Sequence, residues 1–417
     1  MKLVKMSLLA ATLITSSAFA IDNVKVAGDA KLFYSTNDVQ TTDVLGRTGD
    51  SLFSKQTSAG QAALGLGVTA DLTEGISAGA HLTALSAMGL TNIVGAVWEG
   101  GAQDEFWFDE AWLAGTYGQT TAKVGRMTLD TPLVFTETWS IAKNTFEAGV
   151  LINQDVPDTT LVGAYIGEDN SGAGAGGAIF AGVTANWDGN QNTNFSLTNG
   201  GRGAYAVGAV NNSWKPLTVQ GWFYNLPTAA NAYWVQGDLA MDMGLLLGAQ
   251  FTGIQAKGIN AGDDANTAFA AMAGYEVKDL VTLSAAFSQT GTNDNGIGVG
   301  GNVFGTGQSK LYTEAWWNYA YITRTDTTAI NVTAKTPEEL TYAALGLYLT
   351  QATVGENGTG VDPKQDMMEV TLEASKSFGP LDASLLYILT DAEDQNLDAN
   401  GDGQSYSTVQ AYLTYNF

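Results

Sequence analysis

Ser77 stands between two glycines in Gly75-Ile-Ser77-Ala-Gly79, the spacing of a nucleophile elbow, and the sole histidine, His81, follows four residues later. A hydrolase of that design needs a sharp strand-to-helix turn that exposes the hydroxyl, with a general base beside it. Here the serine opens an alternating, strand-like segment with no helix after it, so nucleophilic catalysis is not expected. Gly172-Ala-Gly174-Ala-Gly-Gly177 and Gly296-Ile-Gly298-Val-Gly-Gly301 have the spacing of dinucleotide-binding loops. Neither opens the helix of a strand-helix-strand unit, and both read as loop or strand-entry glycine. With one histidine and no cysteine, a multi-histidine or thiolate metal centre and a disulfide scaffold are excluded. Asp398-Ala-Asn400-Gly-Asp402-Gly403 begins like a calcium-binding loop, yet its twelfth position is Val409 where a bidentate glutamate belongs. The expectation there is a solvated loop, with weak Ca2+ capture by Asp398, Asn400 and Asp402 as the alternative; no other cofactor is expected.

The remaining chemistry is electrostatic. Arg126 precedes the segment Leu129–Glu147, which carries Pro132, Phe135, Glu137, Trp139, Lys143, Phe146 and Glu147. Opposite charges and aromatic rings in one stretch catalyse nothing alone, but placed across a confined aqueous passage they would select ions by charge. Glu369 and Glu373 fall on the polar phase of an alternating segment and would face the same passage. Arg126, Phe135, Glu137, Trp139, Lys143 and Glu147 are therefore candidate constriction residues, and Glu369 and Glu373 candidate lumen acids, provided that the chain can build a lumen.

The elements must supply one. Lys2 and Lys5 precede the apolar run Met6–Ile14, and Ala18-Phe19-Ala20 follows. This is the pattern of an export signal at 1–20, leaving a mature segment at 21–417. The apolar run is too short to cross a bilayer as a helix, which takes roughly 20 residues. Every later apolar stretch is interrupted within a few residues. Cleavage after Ala20 moves the formal charge from −24 to −26, which argues against nucleic-acid partners. Fifty glycines against 7 prolines, with 16 Tyr, 16 Phe and 10 Trp, suit a folded sheet, because proline removes ladder hydrogen bonds.

Apolar residues recur with a period of two almost throughout. Val409, Ala411, Leu413, Tyr415 and Phe417 alternate with Thr408, Gln410, Tyr412, Thr414 and Asn416. Alternation alone suits a soluble sandwich or a membrane barrel. The export signal, segments of about ten residues that can cross a bilayer when tilted, and the alternation of short with long connections favour the barrel. The pattern predicts eighteen antiparallel strands between residues 24 and 417, among them 158–168, 175–188, 308–320 and 339–351. Tight joints fall near Gly118, Asp242, Asp279 and Gly379; Thr36–Thr57, Leu129–Pro157, Gly291–Gly307 and Ala352–Gln365 are long. One long joint, Tyr321–Glu338, falls on the short-joint side, so an extra hairpin or a slip of register is expected there. The clusters Phe106-Trp107-Phe108, Trp222-Phe223-Tyr224, Tyr233-Trp234 and Trp316-Trp317 are expected mostly at the two membrane interfaces.

Four stretches carry a likeness: the initial Met1-Lys-Leu-Val-Lys5, Val124-Gly-Arg-Met-Thr-Leu-Asp-Thr-Pro-Leu133 before a long loop, Asp158-Thr-Thr-Leu-Val-Gly-Ala-Tyr165, and the terminal Tyr415-Asn-Phe417. On them the chain resembles the major outer-membrane porins of the Campylobacter type, themselves similar to OprD-like porins. The resemblance implies an eighteen-stranded transmembrane barrel, a homotrimer, and a third external loop folded into the lumen. A terminal aromatic on the lipid face, with Tyr415 and Phe417, resembles the signal read by the outer-membrane assembly machinery. The function expected is passive diffusion of ions and small hydrophilic solutes, with cations preferred. The expected surroundings are outer-membrane lipid and lipopolysaccharide, to which divalent ions would bridge acidic external loops. A surface adhesin or a barrel with a plugged lumen is the binding-class alternative, and a barrel hydrolase the enzyme-class one.

Overall fold

The computed structural model describes residues 21–40, 51–90, 93–97, 105–170, 195–257, 265–292, 298–305, 307–356 and 364–417. The expected export signal and the motif at Gly172–Gly177 lie outside them. Eighteen long strands form the body of the structure: β1 (Asp22–Asn37), β2 (Ser58–Thr73), β3 (Ile76–Ser86), β4 (Glu105–Tyr117), β5 (Thr120–Met127), β6 (Phe146–Asn153), β7 (Thr159–Asp169), β8 (Ala204–Asn211), β9 (Leu217–Leu226), β10 (Ala230–Ala240), β11 (Leu245–Ala256), β12 (Asn266–Val277), β13 (Val281–Thr290), β14 (Thr327–Lys335), β15 (Ala344–Val354), β16 (Gln365–Phe378), β17 (Leu381–Ala392) and β18 (Tyr406–Asn416). Each is antiparallel to the next, and β1 closes the ring against β18, from Asp29 opposite Asn416 to Asn37 opposite Thr408. Closure leaves no sheet edge with unpaired backbone groups, the condition for crossing hydrocarbon.

The wall side chains divide by face, apolar outward and polar over part of the inner circumference. Leu113, Val124, Leu151, Val207, Val235, Leu247, Leu283, Val332, Leu372 and Leu385 project outward and are exposed, whereas Gln61, Thr83, Asp109, Gln250, Asn331, Thr350, Glu369, Thr390 and Gln410 point inward and are buried. This polarity separates a membrane barrel from a sandwich, which period two by itself does not do. Connections at one end are short, with left-handed backbone at Gly118, Asp279 and Gly379. The connections at the other end are mostly long.

The strand number matches the expectation, but two segments differ in place. Residues 146–153 are a strand, although the sequence reading put them inside one long loop. Their inner face meets a folded-in loop through Phe146 and Ala148, so both faces are apolar and the period of two is lost. Residues 308–320 are not a strand. They run through the lumen, burying Leu311, Thr313 and Ala315 against the wall, so an irregular chain imitates alternation. The wall strand there is β14, and its presence removes the anomalous long joint at 321–338. The expected strand 175–188 lies outside the described residues, and β7 pairs directly with β8, Ile166 opposite Ala204.

The aromatic clusters also divide by face. Phe106, Phe108 and Phe223 are exposed on the outside, while Trp107, Trp222, Tyr224 and Trp234 are buried inside, because adjacent strand residues point in opposite directions. Trp316 and Trp317 lie in the lumen on the 308–320 segment, where their backbone N–H groups meet Glu369 of the wall.

At the seam, the Phe417 N–H donates to Gly28 O at 2.9 Å and the Gly28 N–H donates to Phe417 O at 2.8 Å. The Phe417 ring lies over Gly28, where an added Cβ would come within 2.5 Å of it and 2.8 Å of Gly65 O. A half-buried ring contributes on the order of 1 kcal/mol, at the step that seals the barrel. Gly28→Ala and deletion of Phe417 are each expected to lower the yield of heat-modifiable folded barrel on semi-native electrophoresis, while Phe417→Tyr stays near wild type. Full yield from both would remove the seam contact from the folding argument.

Candidate functional site

The third loop at the long-loop end, residues 128–145, turns into the barrel and reaches the far wall. Pairing of β5 with β6 brings Met127 opposite Phe146 and sets both ends of the loop. Its apolar residues Leu129, Leu133, Val134, Phe135 and Ile141 are buried, which gives the fold inward its driving force. The Tyr224 hydroxyl on β9 donates to Thr131 Oγ1 at 3.0 Å and accepts from the Leu133 N–H at 3.3 Å. The Tyr412 hydroxyl on β18 donates to Trp139 O at 2.7 Å. These two contacts pin the loop to distant parts of the wall.

A row of charged groups faces this loop from β1 to β4, and a separate ion pair joins β5 to β6. Lys31 Nζ lies 3.1 Å from Asp29 Oδ1, and Asp29 Oδ2 lies 3.7 Å from His81 Nε2. His81 Nδ1 is 2.5 Å from Asp109 Oδ1, whose other oxygen accepts from the Thr83 hydroxyl at 3.1 Å. Lys143 comes down from the loop onto Glu110, with Asp109 at 3.8 Å. On β5, Arg126 donates from Nη2 and Nε to Glu147 Oε1 on β6 at 2.5 and 3.2 Å, and its guanidinium lies over Phe195.

Two local features build the row. Asp29 on β1 and His81 on β3 meet across β2 because Gly65 lies between them; a Cβ there would fall 2.5 Å from Asp29 Oδ2 and 2.9 Å from His81 Nε2. The ladder between β3 and β4 shifts at His81/Leu82, pairing His81 with Glu110 and Leu82 with Phe108. That bulge leaves Asp109 as the extra residue, so two consecutive acids reach the same lysine. Asp109 is 2% exposed, whereas the side chains of Lys143, Glu110 and Arg126 are 21–26% exposed and Glu147 39%. Such partly wet pairs add only about 0–1 kcal/mol each to stability. Their larger effect is on the field in the lumen, where low-dielectric walls focus it.

The seventh loop, 291–326, lies beside the third. Val303 N–H donates to Leu133 O at 2.8 Å, and Asn302 Nδ2 donates to Phe135 O at 2.8 Å and to Glu137 Oε1 at 3.0 Å. Its next turn is held by β16, where Glu369 accepts from the N–H groups of Trp316, Trp317 and Asn318 at 2.7, 3.1 and 2.8 Å. Hydrogen bonds of this kind contribute about 0.5–1.5 kcal/mol each, and more where the acceptor is charged.

The structure thus gives the predicted residues different surroundings. Lys143 belongs to the charged row, whereas Arg126 and Glu147 pair with each other on β5 and β6 without a contact to it. Phe135 is buried with Lys310 over its ring, 4.7 Å from the centroid. Glu137 is buried between the loops, accepting also from Trp139 Nε1 at 3.1 Å. Glu369 is buried under the seventh loop, and Glu373 accepts from the Tyr348 hydroxyl at 2.9 Å. Asp29, Lys31, Asp109 and Glu110 were missed; Asp29 and Lys31 sit on the polar phase of β1, a legible signal, but the bulge at Asp109 is not. Asp398 Oδ1 already accepts from the N–H groups of Asn400 and Asp402 at 2.8 and 3.0 Å, which holds its carboxyl below the usual range. Among the described residues no three acidic or histidine side chains are grouped to hold a metal.

Solved structures of similar architecture come from Pseudomonas aeruginosa. OccK8 (OprE) matches with a TM-score of 0.71 at 13% identity, covering 96% of this chain and 99% of that one. OccK9 (OpdG) matches at 0.70 and 12% identity, covering 95% and 98%. The outer membrane protein opdK matches at 0.68 and 11% identity, covering 95% and 99%. The fold is that of these barrels. No family model and no curated protein sequence matches the chain, so the finer likeness to Campylobacter-type porins rests on the sequence motifs alone.

The seventh loop also carries Glu314, which accepts from the Ser309 N–H at 3.0 Å. Loss of water in the packed lumen, added to by Glu137 and Glu369 and opposed by that hydrogen bond and Lys310, pushes its carboxyl up to about 8. The folded state then binds a proton that the unfolded chain has released, so this contribution to stability is present at low pH and declines as pH rises from about 4.5 to about 8. The urea midpoint of the detergent-folded barrel is expected to fall over that range more steeply in wild type than in Glu314→Gln. Parallel curves would show that Glu314 does not titrate there.

Proposed function

We propose that this chain is an outer-membrane porin: a passive, cation-preferring channel for ions and small hydrophilic solutes, narrowed by the third and seventh loops. One observation carries the reading. A closed barrel with an apolar exterior holds a row of partly wet charges inside, directly under a loop that crosses its lumen. In that row Asp29, Asp109 and Glu110 stand with Lys31, His81 and Lys143, and the whole chain has 42 acids against 18 bases. The negative excess favours cations where the walls limit screening. Likeness in fold to outer-membrane barrels supports the location. The reading needs no catalytic step and no cofactor.

We further propose a homotrimer, on the sequence resemblance, and entry into the membrane through the assembly machinery, guided by Tyr415 and Phe417. The loop at Asp398, Asn400 and Asp402 is proposed as a weak calcium bridge to lipopolysaccharide; calorimetric titration with CaCl2, silent for Asp398→Asn, is its test. A plugged adhesin is favoured by a different observation, the apolar packing of Leu133, Val303, Phe304 and Ile322 between the loops and one side of the wall.

Recordings in planar bilayers under a KCl gradient separate these readings. Wild type is expected to open in discrete steps with a cation-selective reversal potential. Lys143→Met, which frees Asp109 and Glu110, should raise that selectivity; Glu147→Gln, which frees Arg126, should lower it. Silence would favour the plugged barrel, and an anion-selective wild type would overturn the cation preference.

A further inference from the structure

We infer that Glu369 is the latch of the constriction: a buried carboxylate on the wall that fixes the turn of the seventh loop in the lumen and, through it, positions the third. The inference rests on the channel reading and deepens it. Glu369 points inward from β16 and is 2% exposed. Its Oε1 accepts from Trp316 N–H at 2.7 Å and from the Thr371 hydroxyl at 3.2 Å, and its Oε2 accepts from Trp317 N–H at 3.1 Å, Asn318 N–H at 2.8 Å and Asn318 Nδ2 at 2.9 Å. Three successive backbone N–H groups wrapped on one anion form a nest, a concavity that prefers negative charge. Every group around this carboxylate is a donor.

Nearby contacts extend the latch without replacing it. Trp316 Nε1 donates to Gln410 Oε1 at 3.1 Å, and Asn318 Nδ2 also donates to Thr390 Oγ1 at 3.1 Å. One side of the lumen, from β16 to β18, is thereby tied to a three-residue stretch of the loop. Further back in the same loop, Asn302 and Val303 hold Leu133, Phe135 and Glu137 of the third loop, and Asn144 Nδ2 returns the contact to Phe304 O at 3.1 Å. Asn144 is next to Lys143, so the chain of contacts runs from Glu369 to the lysine over the acidic pair. Burial and the other wall contacts hold the loops in the lumen, and this one carboxylate fixes the turn of the seventh loop through which the position of the third is set.

The arrangement makes a sharp demand on the side chain. Glutamine has the same shape, but its amide NH2 must face N–H donors, and a donor against a donor leaves both unsatisfied in a buried place. Glu369→Gln is thus expected to release the loop nearly as fully as Glu369→Ala, which a role in packing alone would not require.

Single-channel conductance and the size cut-off for polyethylene glycols, measured on folded, heat-modifiable protein in planar bilayers, test this. Both variants are expected to rise in conductance above wild type, since pore width and lining set conduction, and to admit larger polymers. The chain has no cysteine, so a tether can be added cleanly. Ser288 Oγ on β13 and Thr313 Oγ1 on the loop are 2.5 Å apart, and Ser288→Cys with Thr313→Cys, oxidised in the Glu369→Ala background, should return conductance and cut-off toward wild type, with reduction releasing them again. Wild-type conductance and cut-off in both Glu369 variants would overturn the latch. A silent wild type would instead overturn the channel reading on which it rests.

Discussion

Backbone hydrogen bonding is the constraint on which everything else in this molecule depends. A sheet in hydrocarbon can leave no donor or acceptor unpaired at an edge, so the strands must close, and here they do so between β1 and β18. Closure forces the side chains into two populations. Those outside meet lipid-like surroundings and are apolar; those inside share a space too wide for wall side chains to fill. The interior therefore needs either water or loops, and this chain uses loops on part of its circumference.

The two inserted loops are stabilised by different means on their two sides. Toward β6–β12 they bury Leu133, Phe304, Leu311 and Ile322 against wall residues such as Tyr224 and Trp234, an apolar core built inside a barrel. Toward β1–β4 the third loop packs Ile141 and Ala142 on a smaller apolar cluster of Phe33, Leu85 and Trp107, and there and toward β16–β18 the loops also meet polar and charged wall groups through specific hydrogen bonds. Burial supplies most of the attraction, and the directional contacts at Tyr412, Asn302 and Glu369 fix the position. Charges gathered near the loops are matched pairwise, which keeps each of them tolerable in a confined space.

Much of this was legible in the sequence, and the misses have physical causes. Period two and a barrel could be read because lipid on one side and polar groups on the other impose alternation on most strands, while the inserted third loop was implied by the resemblance to porins. The same rule misplaced two strands. Where an inserted loop covers the inner wall, as at Phe146 and Ala148, both faces become apolar and alternation vanishes. Where an irregular chain lies along the wall, as at Leu311, Thr313 and Ala315, alternation appears without a strand. The errors cancelled in the count and not in the positions.

By itself the sequence determined which residues face lipid over most of the barrel and that the segment after Arg126 gathers charges and aromatic rings, since these depend on local periodicity and composition. Only the tertiary structure decided the partners. Asp29 reaches His81 because a glycine on the strand between them leaves room, Asp109 and Glu110 share Lys143 because a bulge turns both inward, and Glu369 becomes the centre of a nest because a loop some fifty residues away in sequence wraps three N–H groups onto it. Contacts of that range depend on the closed ring bringing distant strands and loops to one place, and no periodicity along the chain encodes them.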